Sequence, residues 1–206
     1  MKKITSRVLT GLAAGALATA TVAAMSSPAQ AALDGYTPTG PDPVVFTGNN
    51  VSFTADEAAQ TLTCTQFDLI GSITNPGVNR PFGTEAGELD QLDSSGCTNP
   101  TAGDTTVDPT GIWHVQIDDA EIGSVSPATL TDVTAFVSAA GCSFNVAGEV
   151  SGTFNDSTQV FTPTGSTLVI ADNPVGFICP ILGVAQGQSI SVAGTWTANG
   201  LTITNP

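Results

Sequence analysis

Apolar and polar residues alternate along most of this chain, and no stretch after the first 31 residues keeps a sustained helical period. Ile112-Trp113-His114-Val115-Gln116-Ile117 puts Trp113, Val115 and Ile117 on one face, read as the inner one. Ile112, His114 and Gln116 fall on the other. Leu130 to Ser138 offers Val133, Ala135 and Val137 at period two, and Cys142, Phe144, Val146 and Val150 continue that rhythm across Gly148. Four shorter runs follow, at Gln159–Thr162, Thr167–Ile170, Ile190–Trp196 and Leu201–Thr204. Nearer the start, Val44-Val45-Phe46 and Val51-Ser52-Phe53 flank Gly48-Asn49-Asn50, a hairpin signature. Thr61 to Thr74 reads as one long strand with a bulge at Gly71. Together these runs predict an all-β fold, a Greek-key-like β-sandwich or barrel of about nine to ten short strands.

Two stretches fall outside the rhythm. Residues 32–43 hold Pro and Gly among few apolar positions and are expected to form an N-terminal arm or leader strand. Residues 75–109 mix Pro, Gly and acidic residues, which predicts a long irregular acidic loop with a short helical turn over Glu85–Leu92. The rest of 44–206 is expected to be a single β domain. A weak echo links CTQFDLIGSIT from Cys64, CSFNVAGEVSGTF from Cys142 and SISVAGTWT from Ser189, hinting at related halves.

The first 31 residues have the parts of a secretory signal. Lys2, Lys3 and Arg7 form a positive start, Val8 to Met25 is apolar, and Ala29-Gln30-Ala31 is an A-x-A cleavage pattern. Cleavage before Ala32 would leave Arg80 as the one basic residue of a chain with eighteen carboxylates. Such a surface cannot neutralise phosphates, so nucleic acid and anionic lipid are poor partners. No insertion into a membrane is expected after cleavage, and the chain should be secreted, extracellular or on the cell surface.

Cys64, Cys97, Cys142 and Cys179 all follow the cleavage site, and an even count in an oxidising compartment reads as two disulfides. Of three pairings, Cys64–Cys97 and Cys142–Cys179 staple neighbouring segments and are preferred. Zinc is disfavoured because there is no C-x-x-C and only one His.

The chemistry-bearing residues are sparse. His114 is the only conventional base, and no G-x-S-x-G elbow supplies a nucleophile. Asp118-Asp119 with Glu121, or Glu85 with Glu88, are the carboxylate pairs nearest to a glycosidase arrangement, but read more simply as solvated turn residues. Asp90, Asp93, Asp104 and Asp108 could converge on calcium, though no cation-binding loop motif is present and weak, diffuse divalent association is the simpler expectation. No catalytic residue, cofactor or dedicated metal site is therefore expected.

The ordered pieces nonetheless have a resemblance. A Cys in an early Thr-rich strand, Gly96-Cys97, the Ile112–Val115 strand and the block CSFNVAGEVSGTFNDSTQVFT, STLVI, CPILGVAQGQSISVAGTWT resemble small exported actinobacterial β-proteins related to the PraB alkane-oxidation activators. The resemblance covers most of 44–204 and its motifs are structural. It implies a secreted, disulfide-bonded β-fold linked to the cell surface or to apolar growth substrates.

Two functions follow as expectations. The first is a non-enzymatic structural or interaction protein of the bacterial cell exterior, self-assembling through the segment 32–47 or surface-adhesive. The second is a binding module for an apolar small molecule or envelope lipid, with Trp113, Phe144, Phe161 and Trp196 as its lining. An extracellular hydrolase is a minor third. A solid core with a free edge strand would favour the first, and an apolar void the second.

Overall fold

The computed structural model describes residues 35–205, so the expected signal segment and cleavage site lie outside the described residues. Fourteen strands and one short helix follow in order. They are β1 (Gly35–Thr39), β2 (Val44–Ala55), β3 (Gln60–Ile73), β4 (Arg80–Pro81), β5 (Glu85–Asn99), β6 (Gly103–Pro109) and β7 (Trp113–Ile117). Next come β8 (Val125–Ala139), β9 (Cys142–Asn155), β10 (Val160–Ser166) and β11 (Val169–Ile170). Helix α1 (Cys179–Leu182), β12 (Ile190–Ala193), β13 (Trp196–Ala198) and β14 (Thr202–Thr204) complete the chain.

The main sheet closes on itself as an eight-strand barrel with extra strands. All its pairings are antiparallel, β2 to β3, β3 to β5, then through β6 and β7 to β8, β9 and β10, and back to β2 through β13. Two barrel positions are each filled by two short strands. β6 and β7 both lie between β5 and β8, and β12 and β13 both lie along β2. Breaking a strand lets it follow the curvature that a twisted sheet needs in order to close.

The two ends of the barrel differ. A three-stranded sheet, β14-β1-β4, forms a floor where Leu201 and Ile203 reach the interior. Tyr36 is fully buried there, its hydroxyl donating to the Thr84 carbonyl. At the opposite, cap end, α1 crosses between the β8–β9 turn and the β2–β3 turn. Phe177 packs beside Gly141, and Gly183 sits next to Ala58.

The preferred disulfides are the ones found. Cys64–Cys97 ties directly opposed residues of β3 and β5, and Cys142–Cys179 fastens α1 to the start of β9. The bulge expected at Gly71 lies instead on the neighbouring strand: Ile70 and Gly71 of β3 face Gln91 and Leu89, so the extra residue is Asp90 of β5, while β3 stays in register with β2 past Gly71.

Three further sequence expectations are corrected. Gly48-Asn49-Asn50 is not a hairpin turn, because β2 runs straight through it with Asn50 at a positive φ of 54°. The turn residues instead mark where the inward face changes: Phe46 points in before them, Phe53 and Ala55 after. The long acidic loop at 75–109 does not exist as such; it folds as β4, β5 and β6. The helical turn over Glu85–Leu92 is likewise the first half of β5, the acidic side chains facing solvent while Ala86 and Leu89 are buried. Of the two forms expected for residues 32–43, arm or leader strand, the described part takes the strand form, as β1 in the floor.

Candidate functional site

The barrel interior is divided at mid-height by aromatic rings. Phe67 meets Trp196 edge-on at 6.3 Å between ring centroids, and Trp196 meets Phe161 at 6.1 Å. The indole N–H of Trp196 donates to the Phe67 carbonyl at 2.8 Å. Position 48 has to be glycine for this, since a methyl group there would come within 2.6 Å of Trp196 Nε1.

Below the rings, toward the floor, the core is packed. Phe46, Leu69, Ile117, Leu130, Phe154 and Phe161 leave only about 20 Å³ free. Above them lies an apolar cavity of about 90 Å³, partly open to solvent. Its walls come from inward positions of the cap half of the barrel, among them Phe53, Leu62, Trp113, Ala135, Phe144 and Leu168. Leu182 and Val184, from α1 and the turn after it, line it from the cap side. The polar lining is confined to Gln60, Asn99 and Thr105. The amide of Asn99 is committed to Gln60 Oε1 at 3.3 Å and the Thr61 carbonyl at 2.9 Å, and Thr105 donates to Gly103.

Small residues create this space. Ala55 on β2, Ala102 in the β5–β6 turn, and Ala135 and Ala139 on β8 stand at inward positions on three different segments, so the wall recedes where larger side chains would meet. Outside, on the segment carrying α1, Val175, Phe177 and Ile181 are each at least 70% exposed and form an apolar surface on the cap.

The four aromatic lining candidates are thus split. Trp113 and Phe144 line the cavity, whereas Phe161 and Trp196 face the packed space below it. Sequence reasoning missed Phe53, Leu62, Phe67 and the alanines. Their only signal was inward parity, which the β2 irregularity hides for Phe53.

The remaining chemistry-bearing residues lie outside the barrel. His114 Nδ1 is 3.1 Å from Asp132 and 3.7 Å from Glu85. Asp132 reaches it because β8 bulges between Leu130 and Val133, with Asp132 at a φ of 55°. This half-buried imidazole between two exposed carboxylates is the cluster with cation-ligand spacing among the described residues. Asp90, Asp93, Asp104 and Asp108 sit exposed on β5 and β6 and form no such group. Asp118 is occupied by hydrogen bonds from Gln116 and Thr129. Both cysteine pairs are oxidised, so no described cysteine offers a thiolate.

No protein-family model, curated protein or solved structure matches this chain. Two disulfides and no free described cysteine suit an oxidising environment. No described helix is long and apolar enough to cross a membrane.

Proposed function

We propose that the protein is an exported, non-enzymatic binding module that shelters the apolar part of a small molecule or envelope lipid. The observation that carries this reading is the apolar cavity of about 90 Å³ beneath the cap. A closed eight-strand barrel has an interior just wide enough either to fill with side chains or to hold one small ligand. Here the floor half fills and the cap half does not. Dry apolar cavities of about 150 Å³ take up benzene, so the volume suits the end of one hydrocarbon chain with the remainder at the mouth. The cavity lies in the cap half, and the exposed Val175, Phe177 and Ile181 give that end an apolar landing surface.

Self-assembly through the segment 32–47 gains less support. Residues 37–39 already pair with β14, residues 35–36 with β4, and residues 44–47 belong to the closed barrel. A donated strand would first have to leave these partners.

The test is native mass spectrometry of protein exported by its host, together with saturable uptake of a polarity-sensitive apolar dye. A co-purified apolar mass, and dye uptake lost in Ala135→Leu with the far-ultraviolet spectrum unchanged, are the expected results. Protein that carries nothing and takes up no dye would end the reading.

A further inference from the structure

The cavity has no ionisable side chain in its lining, so any head group of its occupant stays at the mouth. What surrounds the mouth is therefore what selects the head group. Asp56 and Glu57 directly follow the lining residue Ala55, and Asp104 directly precedes the lining residue Thr105. Two of these carboxylates are fixed in place. Asp56 accepts from Ser191 Oγ at 2.6 and 2.8 Å, and Glu57 from the Ser189 N–H at 2.9 Å. Asp104 is exposed.

No cation answers them at that end. Arg80 is the only Lys or Arg among the described residues, and it lies beyond the opposite end of β5. Its guanidinium is turned to the carbonyls of Thr74, Asn75 and Glu85. An anionic head at the mouth would meet like charges with no counter-ion. A cationic head at the cap end would instead be favoured by the field of Asp56, Glu57 and Asp104, in a setting where the adjoining apolar wall weakens screening.

We propose that the cavity takes the alkyl end of an amphiphile with a cationic, ammonium-type head group. This rests on the binding reading above and adds the charge of the ligand to it. The order of affinity follows from the rim: ammonium above neutral alcohol, and alcohol above carboxylate, at equal chain length.

Decylammonium, decanol and decanoate are compared at neutral pH by calorimetry and by the fluorescence of Trp113, which lines the cavity. At about 0.01 M salt, where charges act over about 30 Å, decylammonium is expected to bind at least about tenfold more tightly than decanoate. The ratio should collapse at about 1 M salt and shrink in Asp104→Asn and Glu57→Gln. Ala135→Leu, or Ala139→Val nearer the mouth, should abolish binding of all three.

Decanoate binding as tightly as decylammonium, while decanol binds, would overturn the head-group inference and leave the binding reading standing. Decylammonium binding that survives both cavity-filling variants is surface adsorption and overturns it too. Failure of all three ligands, decanol included, would sink the binding reading and this inference with it.

Discussion

Trp196 packs closely on β2 because position 48 carries no side chain, and its ring is the middle one of the three that divide the packed half of the barrel from the hollow one. Gly48→Ala is expected to push the indole away at a cost of about 1–3 kcal/mol, the usual range for overpacking a core. Denaturant unfolding followed by tryptophan fluorescence would measure it. Tyr36 makes a second residue-scale case. Burial pushes its phenol above the ordinary value of 10.0, opposed by a backbone hydrogen bond with Ile117 and by nearby Arg80. The native state thus prefers the neutral phenol, so its contribution is complete below pH 10 and is lost as pH rises through the native value. Tyr36→Phe should cost about 1 kcal/mol at neutral pH by losing the bond to Thr84. It should also flatten the alkaline fall in stability, read from melting temperatures across pH 8 to about 12. Asp172 shifts the other way. The Asn145 backbone N–H, and then its side-chain amide, hold the Asp172 carboxyl below its usual 3.8. Its contribution is present above pH 3.8 and disappears as pH falls through the lowered value. In Asn145→Ala, a proton-carbon titration should find the midpoint part of the way back, because the backbone bond survives.

At the scale of elements, the two disulfides close loops of similar span, with separations of 33 and 37 residues. Chain entropy predicts a loss of about 3–4 kcal/mol for either serine double variant. Their local effects should differ. Removing Cys64–Cys97 leaves a β3–β5 ladder still paired on both sides of the bridge. Removing Cys142–Cys179 frees α1, whose Leu182 lines the cavity, so dye exchange should accelerate in that variant alone. Stopped-flow dye release is the measurement. Strands with unbroken alternation were legible in the chain itself. Trp113 and Ile117 are buried as their spacing predicts, and Cys142 to Phe154 keeps one inward parity throughout. β5 was not legible, for a physical reason. Gly96 has a φ of 58° and the register slips beside Leu89, so parity changes along the strand. Its outward face also carries Glu85, Glu88, Asp90 and Asp93, a composition that imitates a solvated loop. The Gly48-Asn49-Asn50 motif misled similarly, since turn-forming residues serve a bulged strand equally well. The cavity itself could not be read, because it results from alanines on separate segments meeting in space.

For the molecule as a whole, closure replaces electrostatics as the organising device. The barrel satisfies its own strand edges, which are otherwise the sites where sheets join other chains. Strong net negative charge adds repulsion between copies. At low salt the purified protein is therefore expected to sediment as a monomer; concentration-dependent growth into fibres would instead revive the self-assembly reading.

The seclusion of Arg80 carries one more consequence. Enzymes of the trypsin type cut after lysine or arginine, yet downstream of Arg7 this polypeptide offers only Arg80, 9% exposed and followed by Pro81. Exposed, flexible tips are what such enzymes need, and here the sole target sits in the floor of a closed barrel. Trypsin digestion should leave a single intact band on a gel. Amine-reactive labels should find no lysine side chain beyond Lys3 to modify. Were the molecule exported among foreign hydrolases, it would thereby be deaf to a major class of them.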